Sequence, residues 1–166
     1  SNKLWQKETI DGIRVIRLWT YIAANEGFFK RLLDFLSFML VSFFASFFIR
    51  RVDLVIGTSP QFFTIVSAWM TSVFKMSPFI FELRDLWPES VRAVSAVKYS
   101  WLIDLFEKLE LFMYRRADAI ISVTNSFKQN LVSRGIKNEK IHVVTNGVDT
   151  SFFAARPKDL SLIEKL

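Results

Sequence analysis

A regular alternation of short apolar runs with longer helical segments constrains this sequence most. The apolar runs predict strands at 13–18, 52–56, 79–83, 117–123 and 141–144, and the intervening segments predict helices at 28–49, 61–74, 100–116 and 126–133. Several of these runs lack alternating polar residues, as expected for parallel strands that are covered on both faces. The order predicts an α/β fold in which a Rossmann-like parallel sheet is flanked by helices.

Turn and cap residues support these boundaries. Asp11–Gly12 predicts a turn before the first strand, and Pro60 is placed in the first turn of the second helix. The third helix is amphipathic, and Glu107, Lys108 and Glu110 are predicted to face outward.

Polar loops follow three of the predicted strands. Because the carboxyl ends of parallel strands meet at one edge of a sheet, we expect these loops to share a rim where ligands bind. The candidate site residues are Thr58 and Ser59 in the first loop, Arg84, Asp85 and Glu89 in the second, and Thr124 and Asn125 in the third.

The composition excludes several kinds of site. The chain has no cysteine, so disulfides and thiolate metal sites are impossible, and its single histidine, His142, is interpreted as structural because it lies in an apolar run. Nothing in the sequence requires a metal or a cofactor. The formal net charge of +6 favours an anionic partner, but there is no basic stripe or recognition helix, so nucleic acid is not predicted.

The helix predicted at 28–49 is unusually aromatic. One side, which includes Leu33, Leu40, Phe44 and Phe47, is predicted to pack on the sheet, yet large apolar residues also occupy the other side beside basic residues. The uncharged run at 35–49 is shorter than the roughly 20 residues that a membrane span needs. Two interpretations remain: a core helix alone, or a core helix that also contacts a membrane surface.

Four motifs, in order and spacing, resemble those of family 4 bacterial glycosyltransferases, which build capsule, O-antigen and colanic-acid-type polysaccharides. They are FELRDLWPES at 81–90, YRRADAI at 114–120, SVTNSFK at 122–128 and VTNGVD at 144–149. Proteins of this family have the GT-B fold, in which two Rossmann-like domains face a cleft.

The resemblance implies that residues 1–153 form part of the N-terminal, acceptor-side domain and that residues 154–166 form a linker or terminal helix. The family's first strands and its C-terminal, donor-binding domain have no counterpart here, so the chain is interpreted as a fragment that is inactive alone. A sheet without those strands would have an open edge, which predicts pairing of two copies into a homodimer.

The resemblance also implies a function for the whole protein. It would be a retaining, hexosyl-type glycosyltransferase that moves a sugar from a nucleotide sugar to a polyprenyl-diphosphate-linked saccharide. The nucleotide sugar would be a substrate, with no cofactor, and the protein would lie at the cytoplasmic face of the plasma membrane, held there by the helix at 28–49. The alternative is a non-catalytic, Rossmann-like binding module that docks to a membrane or a protein.

Expected roles follow for the loop after the third strand. Asp85 would orient or deprotonate the acceptor hydroxyl, although many relatives have a histidine around this position; otherwise it pairs with Arg84 or caps the next turn. Arg84 would contact an acceptor phosphate, or else form a structural ion pair. Glu89 would bind polar substrate groups or cap a helix, and Glu82, in the strand itself, is expected to be buried with a partner.

The other loops have two interpretations each. Thr58, Ser59, Thr124 and Asn125 would bind an anion such as diphosphate, or would cap the helices that follow them. The turn Asn146–Gly147 would lie near the interdomain crossover and act as a hinge.

Overall fold

The computed structural model describes residues 5–22, 28–86, 100–151 and 153. A β-hairpin precedes an alternating series of helices and strands. The elements in chain order are β1 Trp5–Ile10, β2 Ile13–Leu18, α1 Phe28–Ser46, β3 Val55–Thr58, α2 Phe62–Lys75, β4 Phe79–Leu83, α3 Ser100–Arg116, β5 Ala119–Ser122, α4 Asn125–Ser133, a 3₁₀ turn Asn138–Lys140 and β6 Ile141–Val143.

The four strands β3 to β6 form a parallel sheet in the order β3-β4-β5-β6, which confirms the predicted Rossmann-like α/β fold. Each strand is added beside the previous one in the same direction. Because βαβ crossovers are right-handed, this order places α2, α3 and α4 on one face of the sheet. We call it the covered face, and it carries the core residues Phe79, Phe81, Leu83, Ile120 and Ile141.

A glycine allows the first of these helices to approach the sheet closely. A Cβ atom on Gly57 of β3 would lie 2.8 Å from the Cβ of Ala68 in α2, which is closer than real Cβ contacts allow. Gly57 pairs with Phe81 in the neighbouring strand, and the ring of Phe81 lies 4.6 Å from that of Tyr114 in α3. The two helices therefore pack on the same face.

The sequence analysis placed its first strand, at 13–18, in the parallel sheet, but the structure places this strand in a separate two-stranded sheet. It is β2, which pairs antiparallel with β1, a strand that the sequence analysis missed. The turn between them uses Asp11 and Gly12 at φ values of 50° and 81°, the left-handed backbone that a two-residue hairpin loop needs. Polar residues on both sides of β1 give it no apolar pattern, so pairing with β2 rather than burial defines this strand.

The aromatic helix α1 packs mainly against α2 and β2 instead of the parallel sheet, so the predicted packing partner of its apolar side is wrong. The Ser42 hydroxyl hydrogen bonds to Ser67 of α2 at 2.6 Å, so the serine side of α1 is the inner side. Of the side predicted to pack on the sheet, Leu32, Leu36, Met39 and Phe43 are half-buried. Four further residues of that side are between 40% and 56% exposed: Leu33, Leu40, Phe44 and Phe47. We call these four residues the α1 stripe.

Among the residues that the structure describes, none of the helices has the length and apolar character that a membrane span needs.

Glu110 of α3 corrects a second prediction. It was expected to face outward, but it is only 2% exposed. Its two carboxylate oxygens accept hydrogen bonds from the Tyr114 hydroxyl at 2.8 Å and from the Arg134 guanidinium at 2.9 Å. Arg134 follows α4, so this ion pair joins the end of α4 to α3 across the covered face.

The opposite face of the sheet is more open. Strand alternation and register assign Ile56, Ile80, Ile121 and His142 to it; Ile56 is 53% exposed, and His142 is exposed instead of packed as a structural histidine. Strand β3 has no neighbour on its outer side among the residues that the structure describes. The described sheet thus has one partly open face, and β3 and β6 are its two edge strands.

Replacement of Glu110 by alanine is expected to lower the free energy of unfolding by about 1–3 kcal/mol, because the buried Tyr114 hydroxyl loses its acceptor and Arg134 loses the nearer of its two carboxylate partners. Urea unfolding followed by circular dichroism would measure the loss. Lys108→Ala, on an exposed position of the same helix, is the matched control and is expected to change stability by less than about 0.5 kcal/mol. Equal effects of the two substitutions would show that the buried ion pair contributes nothing.

The open edge of β3 is expected to pair with a second copy of the chain. Ile56→Lys should then shift the sedimentation profile toward monomer, because lysine on an edge strand disfavours strand pairing. Ile13→Lys, on the exposed hairpin, is the control and should leave the profile unchanged. A wild-type chain that remains monomeric at high concentration would contradict this expectation.

Candidate functional site

The carboxyl ends of the four parallel strands lie at one rim of the sheet, and the sequence-predicted residues of the described loops follow them. Thr58 is the last residue of β3, Arg84 and Asp85 follow β4 directly, and Thr124 lies two residues after β5. Parallel register requires this arrangement, because every strand that runs in the same direction ends at the same edge.

Ser59 links the loop after β3 to the loop after β4. Its hydroxyl oxygen accepts hydrogen bonds from the backbone amide of Arg84 at 2.8 Å and, more weakly, from that of Asp85 at 3.3 Å. Its own amide donates to the Glu82 carbonyl at 3.0 Å. Ser59 is only 5% exposed. It therefore acts in the described structure as a clasp that fixes the backbone of Arg84 and Asp85.

The hydroxyl of Thr58 is also engaged. It donates to the Glu82 carboxylate at 2.6 Å, and both side chains are half-buried on the open face of the sheet. Register explains the contact, since Thr58 and Glu82 are paired residues of neighbouring strands. Glu82 thus has the partner that the sequence analysis expected, and that partner is a threonine.

Arg84 and Asp85 differ from these residues because only their backbones are fixed. The Arg84 side chain is exposed and the Asp85 side chain is half-buried. Among the described residues, the two side chains form no ion pair with each other and the Asp85 carboxylate accepts no hydrogen bond. The alternative role of Asp85 as a partner of Arg84 therefore has no support from the described contacts.

The loop after β5 is a helix cap. The Thr124 hydroxyl oxygen accepts a hydrogen bond from the Phe127 amide at 3.1 Å, and the Thr124 carbonyl accepts one from the Ser122 hydroxyl at 2.7 Å. Asn125 is the exposed first residue of α4. Thr124 and Asn125 follow β5, whereas the Ser59 clasp joins the ends of β3 and β4. Strand β5 lies about 4.8 Å from β4, so the two residues lie one strand further along the rim. No hydrogen bond between described residues joins them to Asp85.

The second helix begins beside this rim without a side-chain cap. Gln61 is the N-cap residue and makes no capping hydrogen bond, and α2 starts at Phe62. Pro60 therefore precedes the helix, joined to Ser59 by a cis peptide bond, and does not occupy the first turn as predicted. The first amides of α2 consequently lie close to Ser59 and carry the partial positive charge of a helix N-terminus.

No hydrogen bond between described residues joins Asn146 or Gly147 to this arrangement. Glu89 lies outside the described residues, as do Trp87, Pro88 and Ser90. Asn146 and Gly147 are exposed in the irregular segment after β6. A compact turn follows them, in which the Asp149 carboxylate accepts hydrogen bonds from the amide and hydroxyl of Ser151 at 2.9 and 2.6 Å.

The clasp role of Ser59 is a feature that sequence reasoning missed. The available signal was a small hydroxyl residue directly after a strand, and that signal fits ligand binding and helix capping equally well. Only the position of β4 beside β3 shows that the hydroxyl is used within the protein.

Ser59→Ala is expected to destabilise the chain by about 1–3 kcal/mol, because the Arg84 amide loses a part-buried acceptor. Hydrogen exchange at the Arg84 and Asp85 amides should accelerate at the same time. Ser126→Ala, an exposed serine in the first turn of α4, is the control and should leave both readouts unchanged. Unaltered exchange at Arg84 in the Ser59 variant would argue against the clasp.

Comparison with known proteins agrees with this arrangement. The family model described as Glycosyltransferase Family 4 matches residues 5–152 of the 166-residue chain. A search of curated proteins gave no match. The match includes the hairpin, the parallel sheet and the whole described rim. The chain belongs to glycosyltransferase family 4.

Proposed function

We propose that this chain supplies the acceptor-side part of a retaining glycosyltransferase that transfers a sugar from a nucleotide sugar to a lipid-linked saccharide. Membership of family 4 implies the nucleotide-sugar donor. The proposal for the acceptor rests on one observation above all: Asp85 has a fixed backbone and an uncommitted carboxylate at the end of a parallel strand.

Asp85 is the residue that we assign to the acceptor hydroxyl. In the transfer, the bond between the anomeric carbon and the diphosphate oxygen breaks, and a bond from that carbon to the acceptor oxygen forms. The acceptor hydroxyl must lose its proton in the process, and a half-buried carboxylate at the rim is suited to orient the hydroxyl and accept the proton. The Ser59 clasp would then be a positioning device, because it holds the backbone that carries Asp85.

The negative charge of diphosphate needs donors, and two features at the rim provide them. The exposed Arg84 guanidinium presents a planar set of N–H groups that suits phosphate oxygens. The uncapped amino end of α2, beside Ser59, presents free amides of the kind that bind anions. Thr124 and Asn125 would extend the same surface along the rim, and Glu89 would bind polar groups of the substrate.

The complete reaction needs a donor-binding domain as well, so we propose activity for the whole polypeptide and not for residues 1–166 alone. We place it at the cytoplasmic face of the plasma membrane, where a polyprenyl-diphosphate acceptor is anchored. The turn Asn146–Gly147 would be the hinge on which the two domains close.

A non-catalytic docking module is the second candidate, and the exposed α1 stripe is the observation that favours it. The two candidates differ in what the whole protein does with a nucleotide sugar. A docking module would bind its partner and hydrolyse or transfer nothing, whatever residue occupies position 85.

Asp85→Asn in the full-length protein is expected to lower the rate of sugar transfer by about 10²–10⁴-fold, because the carboxamide cannot accept the acceptor proton. Transfer to a polyprenyl-diphosphate-linked saccharide would be measured with radiolabelled donor. Asp53→Asn, an exposed aspartate near the opposite end of β3, is the matched control and should retain full activity. Both variants are expected to unfold at the wild-type urea concentration. An active, folded Asp85→Asn protein would contradict the assignment.

A further inference from the structure

A cavity of about 520 Å³ lies between the β1–β2 hairpin and the segment that follows α1. Its lining is both basic and aromatic, with Lys7, Arg14 and Arg50 beside Trp5 and Phe48. This volume is within the range of small-molecule sites, roughly 300–1,000 Å³. The cavity lies at the amino-terminal end of β3, so it is separate from the candidate site at the carboxyl ends of the strands.

The cavity carries an excess of positive charge. Three cations line it against a single carboxylate, Glu8, and the Arg17 guanidinium outside the lining already pairs with that carboxylate through a hydrogen bond of 2.6 Å. Lys7 lies 4.5 Å from the centre of the Trp5 ring. Neither Arg14 nor Arg50 has an ion-pair partner among the described residues. The cavity therefore offers two uncompensated guanidinium groups, which suit phosphate oxygens.

Exposed aromatic residues continue from the cavity along α1. The Trp5 and Phe48 rings meet edge to face at 6.0 Å, and Phe48 is 76% exposed. The adjacent α1 stripe lies opposite Ser42, the residue that faces α2, because Leu33 precedes Ser42 by nine residues, or about two and a half helical turns. Leu33, Leu40 and Phe44 therefore point away from α2, whereas Phe47, at the end of the stripe, stacks on Phe74 of α2 with ring centroids 4.2 Å apart. The length of the stripe from Leu33 to Phe47 is roughly 21 Å.

Basic residues also surround the end of the stripe. Arg51 is exposed beside Arg50, and the Lys75 ammonium group, at the end of α2, donates to the Ile49 carbonyl at 2.8 Å. An exposed apolar helix face bordered by cations is typical of a helix that lies in a membrane interface. Nucleic acid fits less well, because the exposed stripe itself is aliphatic and aromatic and carries no cation.

We propose that this cavity binds the phosphate head group of an anionic phospholipid while the α1 stripe lies in the membrane interface. Arg14 and Arg50 contact the phosphate oxygens, Trp5 and Phe48 lie at the level of the head groups, and the axis of α1 lies in the membrane plane. The inference deepens the proposed membrane association and rests on it. It does not depend on sugar transfer.

Vesicle co-sedimentation of the 166-residue chain tests the proposal. Wild type is expected to bind vesicles of phosphatidylcholine mixed with phosphatidylglycerol more tightly than vesicles of phosphatidylcholine alone. Arg14→Gln and Arg50→Gln should each weaken binding to the anionic vesicles about fivefold, and the double variant about 25-fold, as expected for basic residues at an anionic surface. Circular dichroism and urea unfolding would verify that each variant is folded.

Matched variants separate the cavity from general charge and from the stripe. The double variant Lys108→Gln and Arg115→Gln removes two exposed cations from α3 and should bind anionic vesicles like wild type. Phe44→Ser, in the stripe, should weaken binding to both kinds of vesicle because it removes exposed apolar surface.

Three outcomes would overturn the proposal. One is a wild-type chain that binds neither kind of vesicle, and another is equal loss of binding in the α3 and cavity double variants. The third is binding to a DNA oligonucleotide, lost in the cavity variant, without vesicle binding. Because no readout measures sugar transfer, an inactive full-length enzyme would leave this result standing, and failure of lipid binding would leave the role of Asp85 untouched.

Discussion

The parallel pairing of β3 to β6 in sequential order is the constraint on which the rest of the structure depends. Parallel direction places every strand end at one rim, and right-handed crossovers place α2, α3 and α4 on one face. The polar residues that follow the strands then share one rim of the sheet, although Thr58 and Thr124 are 66 positions apart in the sequence. The same topology leaves the opposite face and the outer edge of β3 without a neighbour among the described residues.

Within this frame, short polar contacts between elements determine local geometry. Ser59 holds the backbone at Arg84 and Asp85, Ser42 and Ser67 join α1 to α2, and Arg134 joins the end of α4 to α3 through Glu110. Each contact links residues that are at least 24 positions apart. The hydroxyl of Ser59, which the sequence presents as a ligand or cap residue, is therefore used to assemble the fold.

The sequence predicted the elements whose patterns are local. Residues 79–83 and 100–116 were assigned with the observed bounds, because an uninterrupted apolar run and a strong amphipathic repeat specify them. Tertiary contacts decided the rest. Strand β1 exists through pairing with β2. Helix α1 carries large apolar residues on both sides, so that its inner side depends on the contact with α2. Glu110 is buried because Arg134 supplies its counter-charge. The rim could be predicted from topology, but the hydrogen bonds of Ser59 depend on which strands are adjacent.

Helix α2 spans the distance between the two surfaces discussed above. It begins next to Ser59 and ends at Lys75, whose side chain reaches Ile49 beside the basic cavity. Fourteen residues of α-helix measure roughly 21 Å, so the carboxylate of Asp85 and the guanidinium groups around Arg50 are held about one helix length apart. A phospholipid at one end and a sugar acceptor at the other would occupy different places on the protein at the same time. The lipid would then anchor the enzyme without competing with the acceptor for its binding site.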